Sequence, residues 1–442
     1  MAAQTQSILS LNAFDSENAA DLDDRLRGLV DRRHRSFGRV SVLQYRKPLH
    51  VESARGQYIY GSDGRRYVDF YNNVPSVGHC HPRVAEAVYN QMRSVNSHSR
   101  YMYDVVETYA ERLLATFPEA LSNVTFTCTG SEANDLALRI ARAATGRSGV
   151  VVTRAAYHGN TAAVTDVSPS SFKVGGPPPY VKVVNPPDAG LHGADVASGF
   201  YKELAKAIEA LKKEGHGFAA LLVDTIFSSD GVYADPPGFL QPAVSLAKQA
   251  GGLFIADEVQ PGFARTGDAM WGFARHGVVP DIVTMGKPMG NGYPIGGAVS
   301  REGLVDTLMD RFGYFNTFGG TPAAAAAGTA VLDVIEDEGL LENARSAGLL
   351  LKNELTALAA RHDSLGEVRG AGLFVGVSVK APSSPSANDD PAGRIVNGLY
   401  ERGVLVGIAG ANADVLKIRP PLCVNHDDIA LLVEQLEAVL GE

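Results

Sequence analysis

Cysteine is scarce in this chain. It has three in 442 residues, Cys80, Cys128 and Cys423, an odd number set far apart. Such spacing implies neither a disulfide framework nor a Cys-x-x-Cys metal site, and a reducing cytoplasm is the expected setting. His79-Cys80-His81 is too tight for a chelating zinc set and has no second ligand pair, so no metal is expected. A basic excess is missing too. The formal net charge of -9 argues against a nucleic-acid-binding surface. One basic cluster, Arg32-Arg33-His34-Arg35, follows an acidic run and reads as a solvated helix face or partner contact. No segment approaches eighteen uninterrupted apolar residues, so no membrane span is expected. Met1-Ala2-Ala3-Gln4-Thr5-Gln6-Ser7 lacks a basic start leading into an apolar core, so no signal peptide is expected.

What is present is a long chain of ordinary globular composition, 45% hydrophobic and 20% charged. At this length one core stops growing, so two or more domains are expected. Residues 20–36 read as a short amphipathic helix. Residues 57–70 read as a hairpin around Gly61-Ser62-Asp63-Gly64. From about residue 80, short apolar runs alternate with helix-period stretches. The runs are 124–128, 150–153, 219–223, 253–256, 282–285 and 295–299. They are continuous rather than alternating, as in strands covered on both faces of a mostly parallel sheet. The pattern predicts an α/β fold, doubly wound, with ligands at the carboxyl ends of the strands. Later come a helical stretch at 344–360, a strand-rich stretch at 366–379, a polar loop at 381–390 and a last helix at 427–440. The expected division is a large α/β domain over 76–330 and a smaller α+β domain over 331–442, with residues 1–75 packing on the latter.

Chemistry gathers at the strand ends. Lys287 lies in Met285-Gly286-Lys287-Pro288-Met289-Gly290-Asn291-Gly292, just after the 282–285 run. Glycine and proline bar it from a helix or strand interior. A lysine on such a turn among small and apolar residues can lose hydration, drop in pKa and serve as a Schiff-base amine. Taken alone, Gly-Lys-Pro is an ordinary loop. Thr129-Gly130-Ser131-Glu132-Ala133-Asn134-Asp135 follows the 124–128 run and opens a helix. Amides at such a helix start suit a phosphate, although a plain helix cap has the same composition. Tyr157-His158-Gly159 follows the 150–153 run. An aromatic there can stack on a flat ring or simply fill the core. Asp257, in Asp257-Glu258-Val259-Gln260, follows four apolar residues, so its carboxylate is expected to be buried and to need a partner. A protonated pyridine nitrogen is a good one. The 30 residues from Asp257 to Lys287 leave room for one crossover helix between neighbouring strands. Phosphate site, aromatic, carboxylate and lysine together describe a pyridoxal phosphate pocket.

These segments resemble the class III aminotransferases, fold type I pyridoxal phosphate enzymes, over nearly the whole chain. The resemblance implies that Lys287 carries the cofactor and Asp257 holds its ring nitrogen. It implies that Gly130 and Ser131 bind the phosphate, that Tyr157 and Val259 pack on the two ring faces beside His158, and that Gln260 reaches the ring hydroxyl. In Phe315-Asn316-Thr317-Phe318-Gly319-Gly320, Thr317 would reach the cofactor phosphate of a neighbouring subunit. A homodimer, or a tetramer of paired dimers, with sites at the interface is therefore implied.

Departures from the usual transaminase pattern bear on the reaction. Many members carry an arginine two residues before Arg419-Pro420-Pro421; here Lys417 stands there. Lysine is a point charge, poorer than arginine for a planar carboxylate and suited to phosphate. Asp224 stands where many members have a longer glutamate, which in some pairs with that arginine. The segments from Tyr71 to Pro82, with Asn73, and from Asn96 to Tyr101, with Arg100, are similar to those of the ethanolamine-phosphate and phosphohydroxylysine phospho-lyases. That likeness implies loss of a proton from the amine-bearing carbon and of phosphate from its neighbour. Arg100, Lys417 and Arg419, with Asn73, are the candidates for holding the substrate; for the cations, structural ion pairs are the alternative. An ω-aminotransferase shares every cofactor residue and is the competing reading.

Overall fold

A computed structural model describes residues 10–381 and 390–441. The interior of the expected polar loop, 382–389, lies outside the described residues. Near the N-terminus Asp23 accepts from the Leu26 amide at 2.9 Å and caps the helix Asp24–Phe37. That helix begins four residues later than the pattern predicts, where a side chain is available for an orphan amide.

Strands β1 (Val51–Arg55), β2 (Tyr58–Gly61) and β3 (Arg66–Asp69) form an antiparallel meander. The β2–β3 turn places Gly64 at φ +78°, a left-handed conformation that suits glycine. The large sheet follows: β4 (Leu121–Thr127), β5 (Gly149–Thr153), β6 (Val181–Val184), β7 (Phe218–Asp224), β8 (Leu253–Asp257), β9 (Ile282–Met285) and β10 (Gly296–Arg301). The last strands are β11 (Leu365–Ala371), β12 (Phe374–Val379), β13 (Val404–Leu405), β14 (Gly407–Ala409) and β15 (Val415–Ile418). β13 joins the N-terminal meander, parallel to β3, with Val404 opposite Val68. The other four make an antiparallel sheet ordered β11-β12-β15-β14.

The large sheet is ordered β4-β10-β9-β8-β7-β5-β6. All neighbours are parallel except β10, which runs against both β4 and β9. The carboxyl ends of β4, β5, β7, β8 and β9 therefore share one edge with the start of β10. Alternate residues of single strands enter two separate cores. Val151, Leu221 and Val223 join one, with Phe200 and Leu204 of the helix Val196–Lys213. Val150, Val152, Ala220 and Leu222 join the other, with Leu136 and Ile140 of the helix Gly130–Thr145. Both faces are covered, which is why these strands are apolar throughout.

One expectation fails. The connection from β8 to β9 holds no crossover α-helix, only the five-residue 3-10 helix Gly272–His276. Gly262, Gly267, Gly272 and Gly277 break the segment, and Phe263 and Ala264 take positive φ, so no helical run survives. β6 lies outside the predicted set. It is four residues long with Lys182 in its middle, too short and too mixed to stand out.

Candidate active site

Lys287 opens a 3-10 turn, Lys287–Gly290, directly after the buried strand β9. Asn291, left-handed at φ 48°, ends the turn. Its side chain ties the turn to the N-terminal part, donating to Gly78 O at 2.8 Å and accepting from the Val77 amide at 3.0 Å. The Lys287 side chain enters a cavity of about 360 Å³ at the shared sheet edge. Gly130, Ser131, Tyr157, His158, Asp257, Val259 and Gln260 line it too, with Asp224 and Ile295. The dense protein around the amine, and then Arg419, lower the Lys287 pKa below its ordinary value; Asp257 and Asp224 act the other way.

Asp257 ends β8 and is 4% exposed. One carboxylate oxygen accepts from the Val259 amide at 3.0 Å. The other pairs with His158 Nδ1 at 2.7 Å and accepts from Asn134 Nδ2 at 3.0 Å. Asn134 also donates to His158 O at 2.8 Å and accepts from Thr284 Oγ1 at 2.7 Å. Asn134, Thr284 and His158 are buried. A buried carboxylate needs such partners to stay charged. Asn134 and Thr284 carry no role in the sequence reading. Their signal was present: each is a polar residue in an otherwise apolar face or strand.

The helix Gly130–Thr145 begins with a capping box. Thr129 Oγ1 accepts from the Glu132 amide at 3.1 Å, and Glu132 accepts from the Thr129 amide at 3.2 Å. The Gly130 and Ser131 amides, on the cavity wall, have no backbone partner among the described residues. Contacts here are close. A Cβ at Gly130 would lie 2.8 Å from a Val259 methyl, and one at Gly159 would lie 2.4 Å from Ser131 Oγ. The donor set matches pyridoxal phosphate: amides for the phosphate, a buried carboxylate for the ring nitrogen and an amine for the aldehyde. Tyr157, whose phenol pKa is raised by burial, and Val259 are both on the wall.

The other expected residues stand outside that wall. Arg419 and Lys417 are 7% and 6% exposed. Arg419 donates to Tyr71 O at 2.8 Å and to Gln260 Oε1, so the Gln260 carbonyl is committed to Arg419. Lys417 Nζ lies 5.7 Å from the Phe374 ring centroid. Burial, and then Arg419, push the Lys417 pKa well down. Neither cation makes an ion pair among the described residues; Arg265, buried behind them, has its pKa lowered to about 9 by burial and Arg419. Asn73 is 1% exposed, and neither side-chain amide atom has a hydrogen-bond partner among the described residues. Arg100 is exposed with its guanidinium 3.9 Å from the Phe315 ring centroid, and Thr317 is exposed on the same loop as Phe315. His79 pairs with Asp69 at 2.7 Å and His81 with Glu338 at 3.0 Å.

Comparison with known proteins places this architecture. The family model for class III aminotransferases matches residues 41–440. An alanine–glyoxylate aminotransferase 2 homolog, mitochondrial, of Arabidopsis thaliana is 40% identical over 405 residues, 89% of this chain and 83% of that protein. Ethanolamine-phosphate phospho-lyase homolog 1 of Caenorhabditis elegans is 36% identical over 434 residues, 93% of each. A phospholyase from Arthrobacter, solved with phosphoethanolamine, superposes with a TM-score of 0.89 at 40% identity, covering 94% of this chain and 99% of that one. The chain belongs to the class III aminotransferases, fold type I enzymes whose cofactor is pyridoxal 5'-phosphate.

Proposed function

We propose that the protein is a phospho-lyase that eliminates phosphate from a small phosphorylated amine, with phosphoethanolamine the expected substrate. The observation that carries this reading is the pair Lys417 and Arg419, buried beside Lys287 with no carboxylate ion-paired to either among the described residues. Buried charge without a partner is costly unless a ligand supplies the opposite charge. A phosphate dianion does so. The Arthrobacter phospholyase with phosphoethanolamine supports the same choice.

Roles follow from position. Gly130 and Ser131 would hold the cofactor phosphate at the helix start. Asp257, fixed by His158, Asn134 and the Val259 amide, would accept from the ring nitrogen. Tyr157 and Val259, on the cavity wall, would pack on its ring, and Gln260 would reach its hydroxyl. When bound, the cofactor supplies an electron sink. Lys287, its basicity lowered by its surroundings, takes the proton from the amine-bearing carbon. The neighbouring C–O bond breaks, and the electron pair leaves with phosphate. Lys417 and Arg419, with Arg100 and Asn73 at the substrate side, stabilise that developing charge. Water then releases ammonia and, from phosphoethanolamine, acetaldehyde.

The exposed Tyr101, Met102 and Phe318, 64%, 81% and 70% accessible, support a second copy of the chain as partner, with Thr317 reaching its cofactor phosphate. The second reading is an ω-aminotransferase. It is favoured by the 40% identity to an alanine–glyoxylate aminotransferase homolog. The two are separated by incubating holoprotein with phosphoethanolamine and no keto acid. Phosphate release supports the lyase. Its absence, with pyruvate-dependent conversion of the amine instead, supports the transaminase.

A further inference from the structure

Asp224 ends β7 on the cavity wall, close to three cations. Its charge favours the protonated forms of Lys417, Arg419 and Lys287. It nevertheless makes no ion pair with any of them among the described residues. Its carboxylate turns back on its own loop. One oxygen accepts from the Ile226 amide at 3.0 Å. The other accepts from the Ser228 amide at 3.1 Å and from the Ser228 hydroxyl.

The loop is built to hold that arrangement. Phe227, between Asp224 and Ser228, sits at φ +50°, where a bulky residue is strained. Its ring is buried and meets Phe200 at 5.5 Å and Phe239 at 5.8 Å, while its amide donates to Asp224 O at 2.9 Å. Val232 closes the loop with φ +66°. Packing thus fixes a turn that the backbone alone resists.

Ser228 is fully buried and faces two ways. Its hydroxyl donates to Asp224 and accepts from Gln260 Nε2 at 2.7 Å. Gln260 Oε1 in turn accepts from Arg419. A polar chain therefore runs from Asp224 to Arg419 through two neutral side chains. Local stabilisation of a turn accounts for the Asp224 side of Ser228. It does not account for the Gln260 side, which brings an uncharged carbonyl, rather than a carboxylate, to Arg419.

We propose that Ser228 is a specificity-determining residue. Its hydroxyl holds the Asp224 carboxylate on its own turn and, through Gln260, presents only a neutral group to Arg419. Lys417 and Arg419 are then left free of a carboxylate, ready for a dianionic group on the substrate. An Asp224 released from Ser228 competes for the same cations, and the substrate phosphate has to displace it. This inference rests on the phospho-lyase reading and names the residue that protects it.

The test is binding of inorganic phosphate to the holoprotein by calorimetry, run beside phosphate release from phosphoethanolamine. Ser228→Ala is expected to weaken phosphate binding about tenfold while the cofactor stays bound. Adding Asp224→Asn to that variant is expected to restore the affinity, because the competing charge is gone. Wild-type affinity in Ser228→Ala, or a defect that Asp224→Asn fails to rescue, overturns the inference and leaves the phospho-lyase reading standing. Tight phosphate binding without release from phosphoethanolamine refutes the reading instead. Where Ser228→Ala yields no folded protein, Asp224→Asn alone decides. Affinity equal to or above wild type supports the inference, and a tenfold loss overturns it.

Discussion

At the scale of single residues, the proposed function divides the work among three side chains. Lys287→Ala is expected to abolish turnover and the cofactor's absorbance near the visible edge together, since the proposed function gives one amine both tasks; retained absorbance contradicts its role. Lys417→Ala is expected to leave cofactor affinity nearly intact while raising KM for the phosphorylated amine. Asn134 is the residue whose importance the fold exposes. It holds one Asp257 oxygen at 3.0 Å and is itself held by Thr284. A hydrogen bond to a charged group contributes about 1.5–3 kcal/mol. Asn134→Ala is therefore expected to weaken cofactor binding by roughly ten- to a hundredfold, read by titrating the apoprotein with pyridoxal phosphate. Asp257 stands out as an aspartate closing an apolar run, whereas Lys287, an ordinary loop lysine by itself, is singled out only by the company of Asp257, Tyr157 and the helix start at Gly130. Asn134, Thr284 and Ser228 act through partners distant in sequence. Ser228 meets Gln260 32 residues away, and Asn134 meets Thr284 150 residues away. The sequence shows each polar residue in its place but not which distant residue it pairs with.

At the scale of elements, strand ends carry the site and short turns aim it. The 3-10 helix Gly272–His276 shows how a turn is secured. His276 is fully buried; its Nε2 lies 2.9 Å from Thr225 O, and its ring meets Phe239 edge-on at 4.6 Å. Burial lowers its pKa to about 4 from an ordinary 6.5. The neutral ring is the stable folded form, so its contribution is present above pH 6.5 and is lost as pH falls through 4. Thermal stability is expected to fall over that window, and His276→Gln, which keeps an N–H donor, is expected to flatten the fall. An unchanged acid profile in that variant contradicts the assignment. The elements themselves were largely readable. The buried strands β7, β8 and β9 appear as unbroken apolar runs, because cover on both faces removes any reason for alternation. The β8–β9 connection was misread, because an interval of 30 residues measures only reach. Its glycines at 262, 267, 272 and 277 decide that the chain turns repeatedly instead of coiling.

At the scale of the whole molecule, distant segments close the fold around the site. Asp428, in the last helix, accepts from Gln57 Nε2 at 2.6 Å and from Tyr58 OH at 2.7 Å. These contacts span about 370 residues and carry no local signature. The packing of the N-terminal segment on the C-terminal part was expected from the change of texture along the sequence; the parallel pairing of β13 with β3 was not. Asp428→Ala is expected to lower stability by about 2 kcal/mol, seen as a lower denaturant midpoint with an unchanged slope. Light scattering is expected to give at least a dimer, and Phe318→Asp is expected to shift it toward monomer with loss of cofactor.

The family is common to transaminases and lyases, and the pocket's cofactor side does not separate them. Under the proposed reading the substrate side does, through Lys417 and Arg419, which are ion-paired to no carboxylate among the described residues. The most direct measurement is incubation of the holoprotein with phosphoethanolamine in the absence of any keto acid, assaying phosphate and acetaldehyde. A phospho-lyase releases both in equal amounts over many turnovers. Release of neither, with amine consumed only when pyruvate is added, would contradict it.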